Sequence, residues 1–460
     1  MRRANSKLPP GPTGWPWIGS GPRFARDPLG FLLEVARRHG DIASARFGSR
    51  TLVWLNHPRL IEEVFVGRHR DCIKDPTTRE LMPLLGEGLL TSEGELWRKQ
   101  RKLAAHALQP KRVETYAGTI TECTEHVVAG LRENEVRNIH SDVMQLTLEI
   151  VGKTLLGFDT RCDGARISSA LEAVFAYFER RLYSPAGLVL PYLPLPARTR
   201  LERARASLAA IVGQMVQRAQ RDPHGTYLLA ELAAERVEGE PMSERQLCDE
   251  AITLLLAGHE TTALTISYAL YALSENPASQ QRLRAELEAV GTRALGAGDL
   301  EQLPYLDAVV RESLRLFPPA WLLSREVTVA FPLAGYEMPV GVELACSPYA
   351  MQRDPRFFRE PERFLPERWL DTGRAAPPRY AYIPFGAGPR SCIGMHFARQ
   401  EAALVLGTLL QHVRLQVVPG YRLELMPVIT MRPRNGLPVI VQRLRPRGRP
   451  ASPRAGVAQV

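Results

Sequence analysis

The stretch FGAGPRSCIG, residues 385–394, sets one cysteine among three glycines, a proline and an arginine. A helix-like run, MHFARQEAALVLGTLL (395–410), follows at once. A buried structural thiol needs none of this, and a disulfide needs a second cysteine. Glycines allow positive φ and let another body approach the backbone closely. Thiolates are strong ligands for iron, and hydrogen bonds to the sulfur tune the metal. A tight loop can aim backbone N–H groups at a thiolate on Cys392 and leave room for a flat macrocycle. Arg390, two residues away, can pair with an anionic group. The helix that follows brings its positive end to the sulfur, which favours the thiolate.

The rest of the chain narrows the choice. Its 460 residues are 45% hydrophobic and 23% charged, which allows one large core. The net charge of +10 is mostly in the tails. Arg2, Arg3 and Lys7 lie in the first seven residues, and Arg443, Arg445, Arg447, Arg449 and Arg454 in the last eighteen, with no acid in either. The body is therefore near neutral, which argues against a nucleic-acid partner. The six cysteines (Cys72, Cys123, Cys162, Cys248, Cys346, Cys392) form no C-x-x-C pair, so neither zinc nor a disulfide framework is expected. The expected compartment is the reducing cytoplasm. No apolar run reaches the ~18 residues of a membrane span, and no signal-peptide core or anchor is expected at the N-terminus.

Helical periodicity dominates. Amphipathic patterns cover 27–40, 92–108, 113–134, 141–157, 167–182, 198–220, 243–277 and 305–318, with strands expected at 42–48, 51–56, near 325–330 and 342–346, and at the end. A proline-broken segment, YSPAGLVLPYLPLPA (183–197), reads as a movable lid. The expected architecture is mainly α with a minor β region, in one domain over 8–443. Residues 444–460 form a basic, Pro/Arg-rich tail expected to be disordered.

Four further motifs accompany the cysteine loop: Glu312-x-x-Arg315, FLPERW with Arg368, Trp97-x-x-x-Arg101, and AGHETT with Glu260 and Thr261. With F-x-x-G-x-R-x-C-x-G filled by Phe385, Gly388, Arg390, Cys392 and Gly394, the chain resembles the cytochrome P450 superfamily, the haem-thiolate monooxygenases. The likeness runs from PPGP (9–12) to the final strands, and the absence of a mammalian-type N-terminus points to a bacterial enzyme.

The resemblance implies a triangular, mostly α P450 fold holding haem b (iron protoporphyrin IX), with O2 as co-substrate. It makes Cys392 the proximal iron ligand. Phe385, Gly388, Arg390 and Gly394 complete the loop, and Trp97, Arg101 and Arg325 bind the propionates. Glu312, Arg315 and Arg368 become a buried folding network, with Arg363 of PERF (361–364) as a second candidate for the third member. Thr261 would hydrogen-bond the bound dioxygen on a locally opened helix, and Glu260 would help relay protons. His259 reads as a helix residue, not a ligand. Gln352 stands where the family often has histidine, in Gln352-Arg353-Asp354-Pro355.

Candidate liners of an apolar pocket are Leu84, Leu85, Leu89, Leu90, Phe175, Phe178, Leu254, Ala257, Trp321, Leu323 and Ile429. Such a pocket suits a terpenoid, steroid, fatty acid or carotenoid, which the enzyme would hydroxylate or epoxidise. Electrons would come from a separate ferredoxin or flavodoxin with its NAD(P)H reductase, docked on the basic flank of Arg98, Lys99 and Lys102. The expected state is a monomer. The alternatives are a haem-thiolate isomerase or dehydratase, or a haem-based ligand sensor. Neither needs the acid–alcohol pair.

Overall fold

A computed structural model describes residues 8–159, 163–183, 196–222, 224–237, 240–291, 293–370 and 376–444. Residues 184–195 of the expected lid (183–197), Cys162 and the tail from Arg445 onward lie outside the described residues.

After a short helical turn at Gly21–Arg26 comes α1 (Pro28–His39), started by the Asp27 side chain accepting from the Gly30 N–H at 2.9 Å. It stops at Gly40, whose φ is 76°. Strands β1 (Ile42–Phe47) and β2 (Arg50–Leu55) form a hairpin, and β3 (Cys72–Lys74) lies further on. Next come α2 (Gly94–Ala107), α3 (Ala117–Gly130), β4 (Val136–Asn138) and α4 (Ile139–Val151).

The helix expected over 113–134 is broken. The Val113 carbonyl accepts from the Tyr116 N–H at 3.0 Å and from Gln400 Nε2 at 2.7 Å. A regular i to i+4 bond is displaced there, and α3 starts only at Ala117. The helix expected to 157 runs on from α4 as a π turn, Gly152–Leu156, ended by left-handed Gly157.

Helices α5 (Gly164–Tyr183) and α6 (Pro196–Arg221) pack together over the central helix α7 (Glu244–Glu275). A full capping box starts α7. Gln246 N–H donates to Ser243 Oγ at 3.2 Å, and Gln246 Oε1 accepts from Ser243 N–H at 3.0 Å. Its 32 residues span about 48 Å at 1.5 Å per residue. Most of its side chains are buried, so it forms the core of the molecule.

Then follow α8 (Pro277–Val290), α9 (Pro304–Leu316), β5 (Leu323–Val327), β6 (Glu343–Cys346), α10 (Met395–His412), β7 (Val413–Val417), β8 (Leu425–Pro427), β9 (Met431–Pro433) and β10 (Pro438–Arg443). The main sheet has the order β1-β2-β6-β5-β3, with only β6 and β2 parallel. A second sheet joins β7, β10 and β4. Helices α4, α6, α9 and α10 all contact α7. One apolar cluster runs through these helices, and two smaller ones back the main sheet.

Candidate active site

The cysteine loop is closed by its own backbone. Cys392 N–H donates to the Phe385 carbonyl at 2.8 Å, Gly386 N–H to Ile383 at 3.0 Å and Ser391 N–H to Gly388 at 2.9 Å. Gly386 and Gly388 have φ of 76° and 69°. A Cβ on Gly388 would run into the Phe65 carbonyl oxygen, so glycine is required twice over there. Gly394 begins α10, and its N–H bonds back to the sulfur. The Cys392 side chain is solvent-accessible. Burial pushes its thiol pKa up, while the Gly394 N–H and the Arg101 charge pull the other way.

Cations gather around this loop. Trp97 and Arg101 share one face of α2, with the Arg101 guanidinium 5.9 Å from the indole centroid. Arg390 stacks on the same indole at 4.0 Å, donates to the Ser92 carbonyl at 2.8 Å and pairs with Glu93. Arg325 on β5 lies over the Phe65 ring at 5.0 Å, and Lys74 on β3 is its cross-strand partner. Burial, with the Arg325 and Arg101 charges, pushes Arg390 down to about 10 against the pull of Glu93. Burial, then Arg325 and Arg390, pushes Lys74 down to about 7. Among the described residues no carboxylate lies within ion-pair distance of Arg101 or Arg325. Arg101 and Arg325 are pushed down by burial, and Lys74 and Arg390 by burial and neighbouring cations; with Glu93 and Asp75 as the carboxylates acting on these four, they are a fitting donor set for a dianionic group beside an accessible thiol. The residues present therefore fit a haem.

The central helix α7, which packs against α10, presents one accessible stripe. Leu254, Ala257, Gly258 and Thr261 recur at helical spacing and keep accessible surface, while their neighbours are mostly buried. The Gly258 α-hydrogen leaves room for Val151, which would stand 3.1 Å from an added Cβ. The expected local opening of α7 is not found. The helix is continuous, because the Thr261, Thr262 and Thr265 hydroxyls donate to the carbonyls of Ala257 (2.8 Å), Gly258 (3.2 Å) and Thr261 (2.9 Å) as added bonds, without breaking the ladder.

Glu260 and Thr261 are adjacent in sequence but have different partners. Glu260 turns to β9, where Thr430 Oγ1 donates to it at 2.8 Å and Arg432 pairs with it. It is 1% exposed. Burial pushes its pKa up, and the Arg432 charge and the two hydrogen bonds draw it back. His259 donates from Nδ1 to the Leu255 carbonyl at 3.1 Å, taking that nitrogen as the protonated one, and burial lowers its pKa to about 4. Among the described residues no His/Cys/Asp/Glu group could hold a metal ion by itself.

Below the loop lies a dense ionic network. Glu312 and Arg315 are fully buried and doubly bonded, at 2.9 and 2.8 Å. Glu312 also accepts from Arg368 Nε (3.0 Å), Trp369 Nε1 (2.8 Å) and Leu365 N–H (2.9 Å). Arg363 instead pairs with Glu360. Gln352 Nε2 donates to the Leu314 and Arg315 carbonyls at 3.0 and 2.9 Å, and its Oε1 accepts from Ile383 N–H at 2.9 Å. The glutamine thus ties α9 to the strand of chain that enters the cysteine loop.

The expected pocket residues divide. Leu89, Leu90, Leu254, Ala257, Leu323 and Ile429 keep accessible surface, whereas Leu84, Leu85 and Phe175 are buried. Trp321 is buried as well. It packs in the core behind the main sheet beside Phe24, and its indole N–H is used on the Val428 carbonyl at 3.1 Å. The Phe178 side chain lies outside the described residues. Sequence reading missed Lys74, Glu93, Thr430 and Arg432. Each meets its partner only through the tertiary fold.

The cytochrome P450 family profile matches residues 9–436. The chain is 34% identical over 427 residues to cyclooctatin synthase of Streptomyces melanosporofaciens, covering 91% of this chain and 92% of that one. It is 32% identical to cyclooctat-9-en-7-ol 5-monooxygenase of the same organism (89% and 90% covered). It is 29% identical to pentalenene oxygenase of Streptomyces avermitilis (89% and 91% covered). The solved structure of retinoic acid bound cyanobacterial CYP120A1 superposes with a TM-score of 0.84 at 26% identity, covering 96% of this chain and all of that one. No described helix is long and apolar enough to cross a membrane. With the thiol loop, the cation cradle and the accessible face of α7 in one domain, the chain belongs to the cytochrome P450 family and is a haem-thiolate monooxygenase that uses O2.

Proposed function

We propose that this enzyme oxidises a terpenoid or similarly lipophilic molecule, by hydroxylation or epoxidation, with haem b as its cofactor. The observations that carry the reading are the accessible Cys392 sulfur beside a cradle of cations and the apolar, accessible stripe of the central helix. Cys392 would ligate the iron, and Arg101, Arg325, Arg390 and Trp97 would hold the two propionates. Lys74 adds a further positive charge to the cradle. When bound, the haem supplies reductive activation of O2, one atom entering the substrate and the other leaving as water.

The chain's own residues then do three things. Leu89, Leu90, Leu254, Leu323 and Ile429 bind and orient an apolar substrate and exclude water. Thr261 offers a hydroxyl to the reaction site by leaving the Ala257 carbonyl. Glu260 takes protons from solvent and passes them inward. The named relatives, two of which are called oxygenases, support this substrate class.

Electrons would arrive from a ferredoxin or flavodoxin with its NAD(P)H reductase, at the exposed Arg98, Lys99 and Lys102 flank of α2. The unpaired cysteines Cys72, Cys123, Cys248, Cys346 and Cys392 support a cytoplasmic location. We infer a monomeric unit over 8–443 that uses no nucleic acid.

The test is a panel of cyclic di- and sesquiterpenes added to the ferric haem protein, with a surrogate ferredoxin pair for turnover. A low-to-high-spin shift with one or more members, and an oxygenated product from O2, is expected. A panel without spin shift or product, set against a steroid or fatty acid that gives both, would overturn the terpenoid assignment.

A further inference from the structure

Glu260 is a buried carboxylate on the central helix, next to Thr261 in sequence, and its partners come from a hairpin far along the chain. Its 1% exposure makes those partners decisive. Thr430, just before β9, and Arg432 within it both donate to one oxygen, Glu260 Oε1, so a single short segment of chain anchors the carboxylate. The Arg432 guanidinium carbon lies 3.6 Å from the Phe175 ring centroid on α5. Arg432 is thereby fixed between the central helix and α5. About a fifth of its side chain stays accessible, so it stands between the buried acid and solvent.

We propose that Arg432 is the positioning residue of Glu260, fixing the carboxylate in one orientation and keeping it able to accept and return a proton. This rests on the reading of Glu260 as the proton relay. Burial alone would hold Glu260 protonated, and a carboxyl that never ionises cannot relay. The guanidinium opposes that push.

The other groups nearby do not replace it. His259 and His140 are held neutral, both lowered to about 4 by burial, with Arg432 contributing. The His140 ring sits 3.0 Å from Ser267 Oγ, whose proton is committed to the Ala263 carbonyl at 2.7 Å, so His140 Nδ1 is the donor. Tyr268 gives its proton to the Met431 carbonyl at 2.7 Å and stays un-ionised. Among the described residues Arg432 is the one cation paired with Glu260.

The test compares the haem-loaded parent with R432M, R432K, R432Q, E260Q and R432M/E260Q. Infrared difference spectra of glutamate-labelled, ferric protein should show a new protonated-carboxyl band in R432M at neutral pH. That band should be missing from the parent, R432K and R432M/E260Q. Bands of other buried carboxyls cancel in the difference. Product formed per NADPH should fall by roughly 10²-fold in R432M, with peroxide rising, and R432K should recover most of it. R432Q serves if R432M fails to load haem. Parental coupling and no new band in R432M or R432Q, with E260Q impaired, would overturn the role of Arg432 alone. Parental coupling in E260Q would remove the relay reading beneath it.

Discussion

Thr261 is the sharpest case of a single side chain with two possible partners. Its hydroxyl is bonded to the Ala257 carbonyl, 2.8 Å away, on the accessible stripe of α7. Thr261→Ala removes a donor at the reaction site and leaves the helix intact, since the bond is an added one. We expect substrate binding within a few-fold of the parent, NADPH use continuing and hydrogen peroxide replacing product. Peroxide and product yields per NADPH check this, and unchanged yields would remove Thr261 from the mechanism. Gly388→Ala should prevent haem incorporation, because a methyl group there meets the Phe65 carbonyl and the φ of 69° is strained for alanine. Haem content after purification is the readout. At this scale the sequence was highly legible where motifs are local. Cys392, Glu312 with Arg315, and Trp97 with Arg101 could each be found from short spacings. Arg432 could not, because 172 positions separate it from Glu260 and no local pattern links them.

The network under α9 ties elements together, and its energetics belong to that scale. Glu312 accepts five hydrogen bonds with no exposure to water. Glu312→Ala leaves the buried Arg315 and the partly buried Arg368 without their acid and should cost about 3–5 kcal/mol, read from denaturant unfolding of the haem protein. Arg363→Ala is the control. Its side chain is 66% exposed and pairs only with Glu360, so a change within about 0.5 kcal/mol is expected. An equal loss in both variants would contradict the assignment of Arg368, rather than Arg363, to the network. Helix positions were read well because apolar periodicity is a local property. The errors came where a distant group captured the backbone. Gln400 takes the Val113 carbonyl and ends a helix that its own sequence would continue. Gln352 is a similar case: the missing histidine was visible, but the glutamine's three bonds to α9 and the incoming chain were not. The expected opening of α7 came from family likeness, and three threonine hydroxyls on the carbonyls coexist with a closed helix.

For the whole molecule, stability should carry the mark of one buried acid. Glu250 on α7 is pushed up to about 7 by burial, against a hydrogen bond from the Leu89 N–H at 3.1 Å. A carboxyl with a raised folded pKa binds more protons when folded than unfolded. Its contribution is therefore whole below about 4.5 and is lost as pH rises through about 7. Glu250→Gln keeps an oxygen acceptor for Leu89 and cannot ionise. Its stability relative to the parent should rise between these pH values and level off above, by about 3 kcal/mol in all. A difference that stays flat with pH would show that Glu250 ionises normally in the folded protein.

The central claim is that Cys392, as a thiolate, holds the iron in this cradle of cations. The most direct measurement is the visible spectrum of the reduced protein with carbon monoxide. The account predicts a strongly red-shifted Soret band, lost to the shorter-wavelength position of imidazole ligation in Cys392→His. A native band already at the shorter position, or a protein that takes up no haem, would contradict it.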